Sequence, residues 1–246
     1  KMQDRYEVKK ASGKSIKVSV PGSKSITNRA LLIAALSQGK SVLRGVLFSD
    51  DSRHFLQSLV SLGFPVEVDE DNAVVTITGF GGKIPKTEAE IDVGSAGTAA
   101  RFLTAYLGLS KGNYHILSSE QMKKRPMQEL LTALEELGAE IAYDEECYHF
   151  PFTIGNDGVT RHEVTIDVDK SSQFLSALLI SAVLFKEDFH IHVKGTHGMA
   201  YVQMTIAMMR QFGVTVLEES PRDFCIPKEA AYEAQEYQIE PDVSAA

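Results

Sequence analysis

At 246 residues, with 43% hydrophobic and 24% charged side chains, the chain can bury a core in one or two domains and is expected to be a soluble globular protein. Its formal charge of −8 argues against nonspecific nucleic-acid binding, and no apolar run reaches the roughly 18 to 20 residues that cross a bilayer. Residues 1–12 lack the apolar centre of a signal peptide, and Cys147 and Cys225 form no close pair for a metal knuckle or redox motif, so a reducing cytoplasm is the expected compartment.

In chain order, Ile16, Val18 and Val20 alternate as a strand, residues 28–36 read as a helix and 42–47 as a strand. A second helix over 51–62 places Phe55, Leu56, Leu59 and Leu62 at helical spacing. Strands over 66–68 and 74–78 then flank the acidic turn 69–72 as a hairpin. The order recurs with a helix over 102–107, another over 127–137, and a hairpin of 141–143 and 150–154. It recurs once more with helices over 174–184 and 201–212 and strands over 214–217 and 224–226.

Gly63, Gly138 and Gly213 each close the second helix of a unit and stand 75 residues apart, the mark of one structural unit written three times. The first helix of each unit is apolar nearly all round, and the glycine-closed helix keeps a polar face. The apolar helices should therefore lie inside, with sheets and amphipathic helices around them and their N-termini converging at one end. Helix starts favour anions through free N–H groups and the dipole, so a shared anionic ligand site is expected there.

The units begin alike, with Ser23-Lys24-Ser25, Ser95-Ala96-Gly97-Thr98 and Ser171-Ser172-Gln173 ahead of the apolar helices. Cations flank the same entrances: Lys24 and Arg29 at the first, Arg101 at the second, and Lys123-Lys124-Arg125 before Pro126. Arginine forks, lysine point charges and serine hydroxyls together suit a phosphorylated acid. Each also has an ordinary structural reading. Lys24 balances between ligand and scaffold, Arg101 suits a buried ion pair as well as a ligand, and Lys123 and Lys124 fit a solvated face. Ser171-Ser172 fit helix caps, as do Asp50 and Asp51, and Tyr201 fits a hydrophobic staple as well as a ring-stacking platform. Gln173 suits a hydroxylated ligand or the backbone. His190 and His192 alternate on one strand with His197 nearby, but no carboxylate or cysteine clusters with them in sequence, which disfavours a metal site.

The run Pro21-Gly22-Ser23-Lys24-Ser25-Ile26-Thr27-Asn28-Arg29-Ala30-Leu31-Leu32 resembles the N-terminal signature of the 3-phosphoshikimate 1-carboxyvinyltransferase (EPSP synthase) family. Ser49-Asp50-Asp51, Ala96-Gly97-Thr98-Ala99-Ala100-Arg101, Lys124-Arg125-Pro126 and Ser171-Ser172-Gln173-Phe174 resemble further family motifs in the same order, covering nearly the whole chain. The resemblance implies an α/β fold, an inside-out α/β barrel domain of three βαβαββ repeats. It would span residues 15–230 (repeats about 15–80, 88–155 and 162–228), between an N-terminal segment 1–14 and the opening of a second domain over 231–246. It also implies that Lys24, Ser25, Arg29, Ser171, Ser172, Gln173 and Tyr201 contact shikimate 3-phosphate, and that Lys24, Gly97, Arg125 and Gln173 contact phosphoenolpyruvate. Lys24 would act electrostatically in catalysis. The implied reaction adds the shikimate 3-phosphate hydroxyl to the phosphate-bearing enol carbon of phosphoenolpyruvate, protonates the methylene and expels that phosphate, with no metal, no cofactor and no membrane or nucleic-acid partner, in a monomer.

Three departures stand out. Residues 195–201, Gly-Thr-His-Gly-Met-Ala-Tyr, lack the serine and proline expected before the tyrosine, leaving Thr196 or His197 as substitutes. Phe102 and Ser95 replace a common proline and asparagine. The family's acid/base carboxylates belong to a second three-unit domain, so the chain is expected to be inert alone. The alternatives are a noncatalytic binding module of the same fold and a UDP-N-acetylglucosamine enolpyruvyl transferase, which is expected to carry a loop cysteine where residues 118–126 have none.

Overall fold

The structure is a computed structural model that describes residues 21–170 and 172–240. The strand expected around Ile16 to Val20, Ser171 and the last six residues lie outside the described residues. Among the described residues, no helix is long and apolar enough to cross a membrane.

The threefold period is visible as three four-stranded sheets of matching topology. In the second unit, β4 (Glu88–Asp92) runs parallel to β5 (Asn113–Leu117), which pairs antiparallel with β7 (Phe152–Asn156) and through it with β6 (Ala139–Tyr143). The third repeats this with β8 (Glu163–Asp167), β9 (Phe189–Lys194), β11 (Asp223–Ile226) and β10 (Leu217–Ser220). In the first, β1 (Gln38–Arg44), β3 (Val74–Phe80) and β2 (Val66–Asp69) follow suit, but the parallel edge position is filled by β12 (Glu236–Gln238). The segment expected to open a further domain thus contributes a strand to the first sheet.

Three helices form the interior: α1 (Pro21–Leu36), α3 (Gly97–Gly108) and α6 (Ser172–Ser181), the last continued by a 3₁₀ turn over Ala182–Leu184. Every residue from Ala30 to Leu36, from Ala99 to Gly108 and from Phe174 to Ser181 is buried, and the three helices pack on one another. Helices that lack a polar face have no other stable place. Outside them lie α2 (Asp50–Ser61), α5 (Gln128–Glu136) and α7 (Met199–Gln211), with a single turn, α4 (Glu120–Lys123), ahead of α5.

Boundaries differ from the sequence expectations where local chemistry intervenes. Helix α1 starts at Pro21, seven residues before the expected start at 28, because proline's preset φ and missing N–H suit a first helical position. Ser23, Lys24 and Ser25 are therefore helical, not a loop before the helix. The strand expected over 214–217 begins only at Leu217. Val214 and Val216 alternate inward, but their burial comes from packing against the core and not from ladder pairing.

Gly63, Gly138 and Gly213 all have left-handed backbones, with φ of 97°, 103° and 98°. A side chain at any of them would be strained by about 1–2 kcal/mol. At Gly138 a Cβ would also stand 2.8 Å from the Gly158 carbonyl oxygen, whereas at Gly213 it would meet only the side chain of Glu233 at 3.1 Å. Gly138→Ala is therefore expected to lower the urea midpoint more than Gly213→Ala. Equal losses would mean the backbone around Gly158 yields freely.

The solvent faces of the second and third sheets each hold an imidazole between two carboxylates. His115 Nε2 is 2.8 Å from Asp144 and Nδ1 2.8 Å from Glu90, while His192 Nδ1 is 2.7 Å from Asp223 and Nε2 3.0 Å from Glu163. Hydrogen bonds to Asp144 then Glu90, and to Asp223 then Glu163, raise both imidazoles above their usual range. A folded value above the unfolded one gives stabilisation that is complete below the unfolded pKa near 6.5 and fades as pH climbs through the folded value. Both rings are solvent-accessible, so the contribution is modest. The denaturation midpoint should decline above pH ~6.5, and the His115→Gln/His192→Gln double variant should flatten that decline.

Candidate functional site

The N-terminal ends of the buried helices meet, and side chains from all three units interlock there. Gln173 at the start of α6 donates its side-chain amide to Thr98 Oγ1 at the start of α3 (2.8 Å). Asp51, in the first turn of α2, accepts the Ala99 N–H of α3 at 2.9 Å and receives Lys24 Nζ of α1 at 3.2 Å. The cap of α2 is not an aspartate. Ser49 holds that position, with a reciprocal capping box to Ser52, which leaves Asp51 free to cap a neighbouring helix instead of its own.

Arg29 lies behind this seam, only 2% exposed. Its Nε donates to Thr205 Oγ1 of α7 (2.6 Å), one terminal nitrogen to Ser176 Oγ of α6 (3.2 Å) and the other to the Ser25 carbonyl (3.1 Å). The guanidinium carbon lies 5.2 Å from the centre of the Phe102 ring and 6.0 Å from that of Tyr201. Arg101, 3% exposed, donates to the Gly97 and Pro126 carbonyls and stacks over Phe174 at 5.5 Å, while its Nε is buried with no hydrogen-bond partner among the described residues. Among the described residues, neither arginine has a carboxylate within ion-pair distance. Burial draws Arg29 down to about 10; burial, with the nearby Arg125 charge adding to it, draws Arg101 to about 10 as well. Both remain cationic at neutral pH.

Gly97 is where two of these cations crowd together. A Cβ on it would lie 2.9 Å from an Arg101 terminal nitrogen and 3.0 Å from one of Arg125. Two nitrogens each about 3 Å from one point lie at most about 6 Å apart, and like charges that close are costly unless an anion joins them. The Lys24 side chain and Tyr201 are 49% and 42% exposed, which leaves an ammonium and an aromatic ring in part open to solvent. Ser172 sits against Gly198, where a Cβ would collide with its side chain. Thr196 and His197 donate their backbone N–H groups to Asp169 and are exposed in the loop before α7. Lys123 pairs with Glu120 and Glu145 on the surface, in keeping with its reading as a solvated face.

Of the site residues named from sequence, Lys24, Ser25, Arg29, Gly97, Arg125, Ser172, Gln173 and Tyr201 cluster around these helix starts, and Ser171 lies outside the described residues. Sequence reasoning missed Asp51 as a crosslink, Thr98, Ser176 and Thr205. Ser176 follows Gln173 by three residues and Thr205 follows Tyr201 by four, so helical spacing was the available signal.

The sequence matches the family model for EPSP synthase (3-phosphoshikimate 1-carboxyvinyltransferase) over residues 8–246. The chain belongs to the EPSP synthase family. Among relatives, the 3-phosphoshikimate 1-carboxyvinyltransferase of Nostoc punctiforme is 40% identical over 228 residues, 92% of this chain and 54% of that protein. The same-named protein of Vibrio atlanticus is 40% identical over 242 residues, 97% of this chain and 56% of its own length. The chain spans about half the length of the curated relatives it matches. The fold agrees with EPSP synthase from Acinetobacter baumannii at a TM-score of 0.77 and 23% identity, covering 93% of this chain and 50% of that one. It also agrees with the enolpyruvyl transferase NikO from Streptomyces tendae at 0.63 and 14% identity, covering 94% and 53%.

Proposed function

We propose that this EPSP synthase family chain provides the substrate-binding face of an enzyme that transfers the carboxyvinyl group of phosphoenolpyruvate to the 5-hydroxyl of shikimate 3-phosphate, releasing phosphate. The observation that carries the reading is the pair of buried guanidiniums, Arg29 and Arg101, which have no carboxylate partner among the described residues and lie near the converging helix N-termini. Arg29, Ser25, Lys24, Ser171, Ser172 and Gln173 hold shikimate 3-phosphate, and Tyr201 lies against its ring. Phosphoenolpyruvate sits between Lys24, Gly97, Arg125 and Gln173, where the absence of a side chain on Gly97 leaves space beside the two arginines. Lys24 and Arg125 neutralise its phosphate and carboxylate and stabilise the charge that develops as phosphate departs.

The three repeats form one domain with the inside-out α/β arrangement, its first sheet completed by β12 from beyond residue 230, in a cytoplasmic, monomeric protein. Asp51 is already engaged by Lys24 and Ala99, so it does not serve as the acid that protonates the methylene. The chain alone binds without turning over. Charge-assisted hydrogen bonds of about 1.5–3 kcal/mol each, set against an association cost of at least ~4 kcal/mol, give an expected Kd in the micromolar to millimolar range. Calorimetric titration with shikimate 3-phosphate tests this: no heat at millimolar ligand sinks the binding assignment. Phosphate release from both substrates by this chain alone sinks the inertness.

A further inference from the structure

On the solvent face of the third sheet, His190, Glu219 and Cys225 bring one ligand atom each to within 4.8 Å of one another. His190 and Cys225 are register partners across β9 and β11, so their side chains rise side by side from the same face. Glu219 arrives by a different device. Glu218 pairs with Phe224 and Ser220 with Asp223, so Glu219 is the extra residue of a bulge in β10, and bulges re-aim side chains. Its carboxylate comes within 3.6 Å of His190 Nδ1.

The structure assigns to His190, Glu219 and Cys225 a site for a thiophilic divalent cation such as Zn²⁺, which ties β9, β10 and β11 together with a fourth position open to water. The donor set of one imidazole, one carboxylate and one thiolate suits zinc. Tetrahedral zinc with bonds of about 2.0–2.3 Å places its ligand atoms roughly 3.3–3.7 Å apart. Closing from the present spread takes a side-chain adjustment of about 1 Å, and the half-exposed His190 and Glu219 are free to make it. Cys225 is only 5% exposed and its thiol faces negative neighbours: burial, then Asp188 and Glu219, all hold it protonated. A divalent ion reverses that balance, because it stabilises the thiolate and relieves the carboxylate together. The neighbouring His192 is not available in the same way, since Asp223 and Glu163 hold both its nitrogens.

Titration of the full chain with Co²⁺ alone tests the assignment. Expected are a sulfur-to-cobalt charge-transfer band with tetrahedral visible bands, loss of colour on adding Zn²⁺, and a rise of several degrees in melting temperature when Zn²⁺ is well above its Kd. Cys225→Ser should remove the charge-transfer band, while Cys147→Ser and His192→Ala should leave it. Because Cys225 is buried and its replacement could perturb folding, the exposed-side variants carry independent weight: Glu219→Gln and His190→Ala should each weaken Co²⁺ binding by at least ~10-fold, the loss typical even of groups that only orient a ligand. Absence of a charge-transfer band, a band that follows Cys147, or unchanged affinity in both exposed-side variants would overturn the site. All of these readouts are separate from shikimate 3-phosphate binding, so either assignment can fail alone.

Discussion

Arg29→Met is expected to weaken shikimate 3-phosphate binding by about 30-fold to several thousand-fold while leaving the unliganded protein as stable as before, or more so. The binding loss follows from removing one partner of a desolvated charge pair, which costs about 2–5 kcal/mol, with each 1.4 kcal/mol equal to a factor of ten. The stability expectation follows from the opposite side of the same ledger. Arg29 is a buried cation with no carboxylate partner among the described residues, and such charges are often replaced by apolar groups of similar volume at no cost. Its two hydroxyl partners also keep a bond each without it, because the Thr205 hydroxyl lies 3.0 Å from Ser176 Oγ and 2.8 Å from the Tyr201 carbonyl. Calorimetry and urea denaturation on the one variant separate the two effects. A large stability loss with intact binding would make Arg29 a structural residue and remove the central support for the proposed function.

Replacing Asp51 should do the reverse, and Ala and Asn should differ. Asp51 crosslinks three helices: it is 6% exposed, belongs to α2, accepts the Ala99 N–H of α3 and receives Lys24 of α1. The charge-assisted hydrogen bond to Ala99 contributes about 1.5–3 kcal/mol, and the half-exposed Lys24 adds at most ~1 kcal/mol. Asp51→Ala is thus expected to destabilise the fold by about 2–4 kcal/mol and to let the start of α3, with Gly97, drift from Arg125. Asp51→Asn keeps an acceptor for Ala99 and should lose roughly half as much. Equal stability of the two variants in urea would show that Lys24, not the α3 N–H, is the partner that matters.

Much of the scaffold was legible because it rests on local chemistry. Three glycines at one period marked three helix ends, and each has the left-handed backbone such an end requires. Helices without a polar face had to lie inside, and α1, α3 and α6 do. The cations and serines at their starts also announced an anion site. Element limits were less legible: Pro21 allowed α1 to begin before the apolar run, and the alternation of Val214 and Val216 signalled burial without strand pairing.

The partners of these residues were not legible. Asp51 and Ala99 are 48 residues apart, Arg29 and Ser176 are 147 apart, and Arg29 and Thr205 are 176 apart. The same holds for His190, where the carboxylate and thiol that sequence reading found lacking arrive from β10 and β11.

The sequence by itself determined the threefold unit, its buried and exposed helices and the identity of the charged groups, because periodicity, glycine backbones and helix starts act over a few residues. Only the tertiary structure decided that β12 completes the first sheet, that Asp51 caps a helix not its own, and that two arginines are sealed in without a counter-charge among the described residues. Those outcomes depend on how three separately encoded units pack around shared helices, and packing brings together groups whose separation along the chain carries no record of their contact.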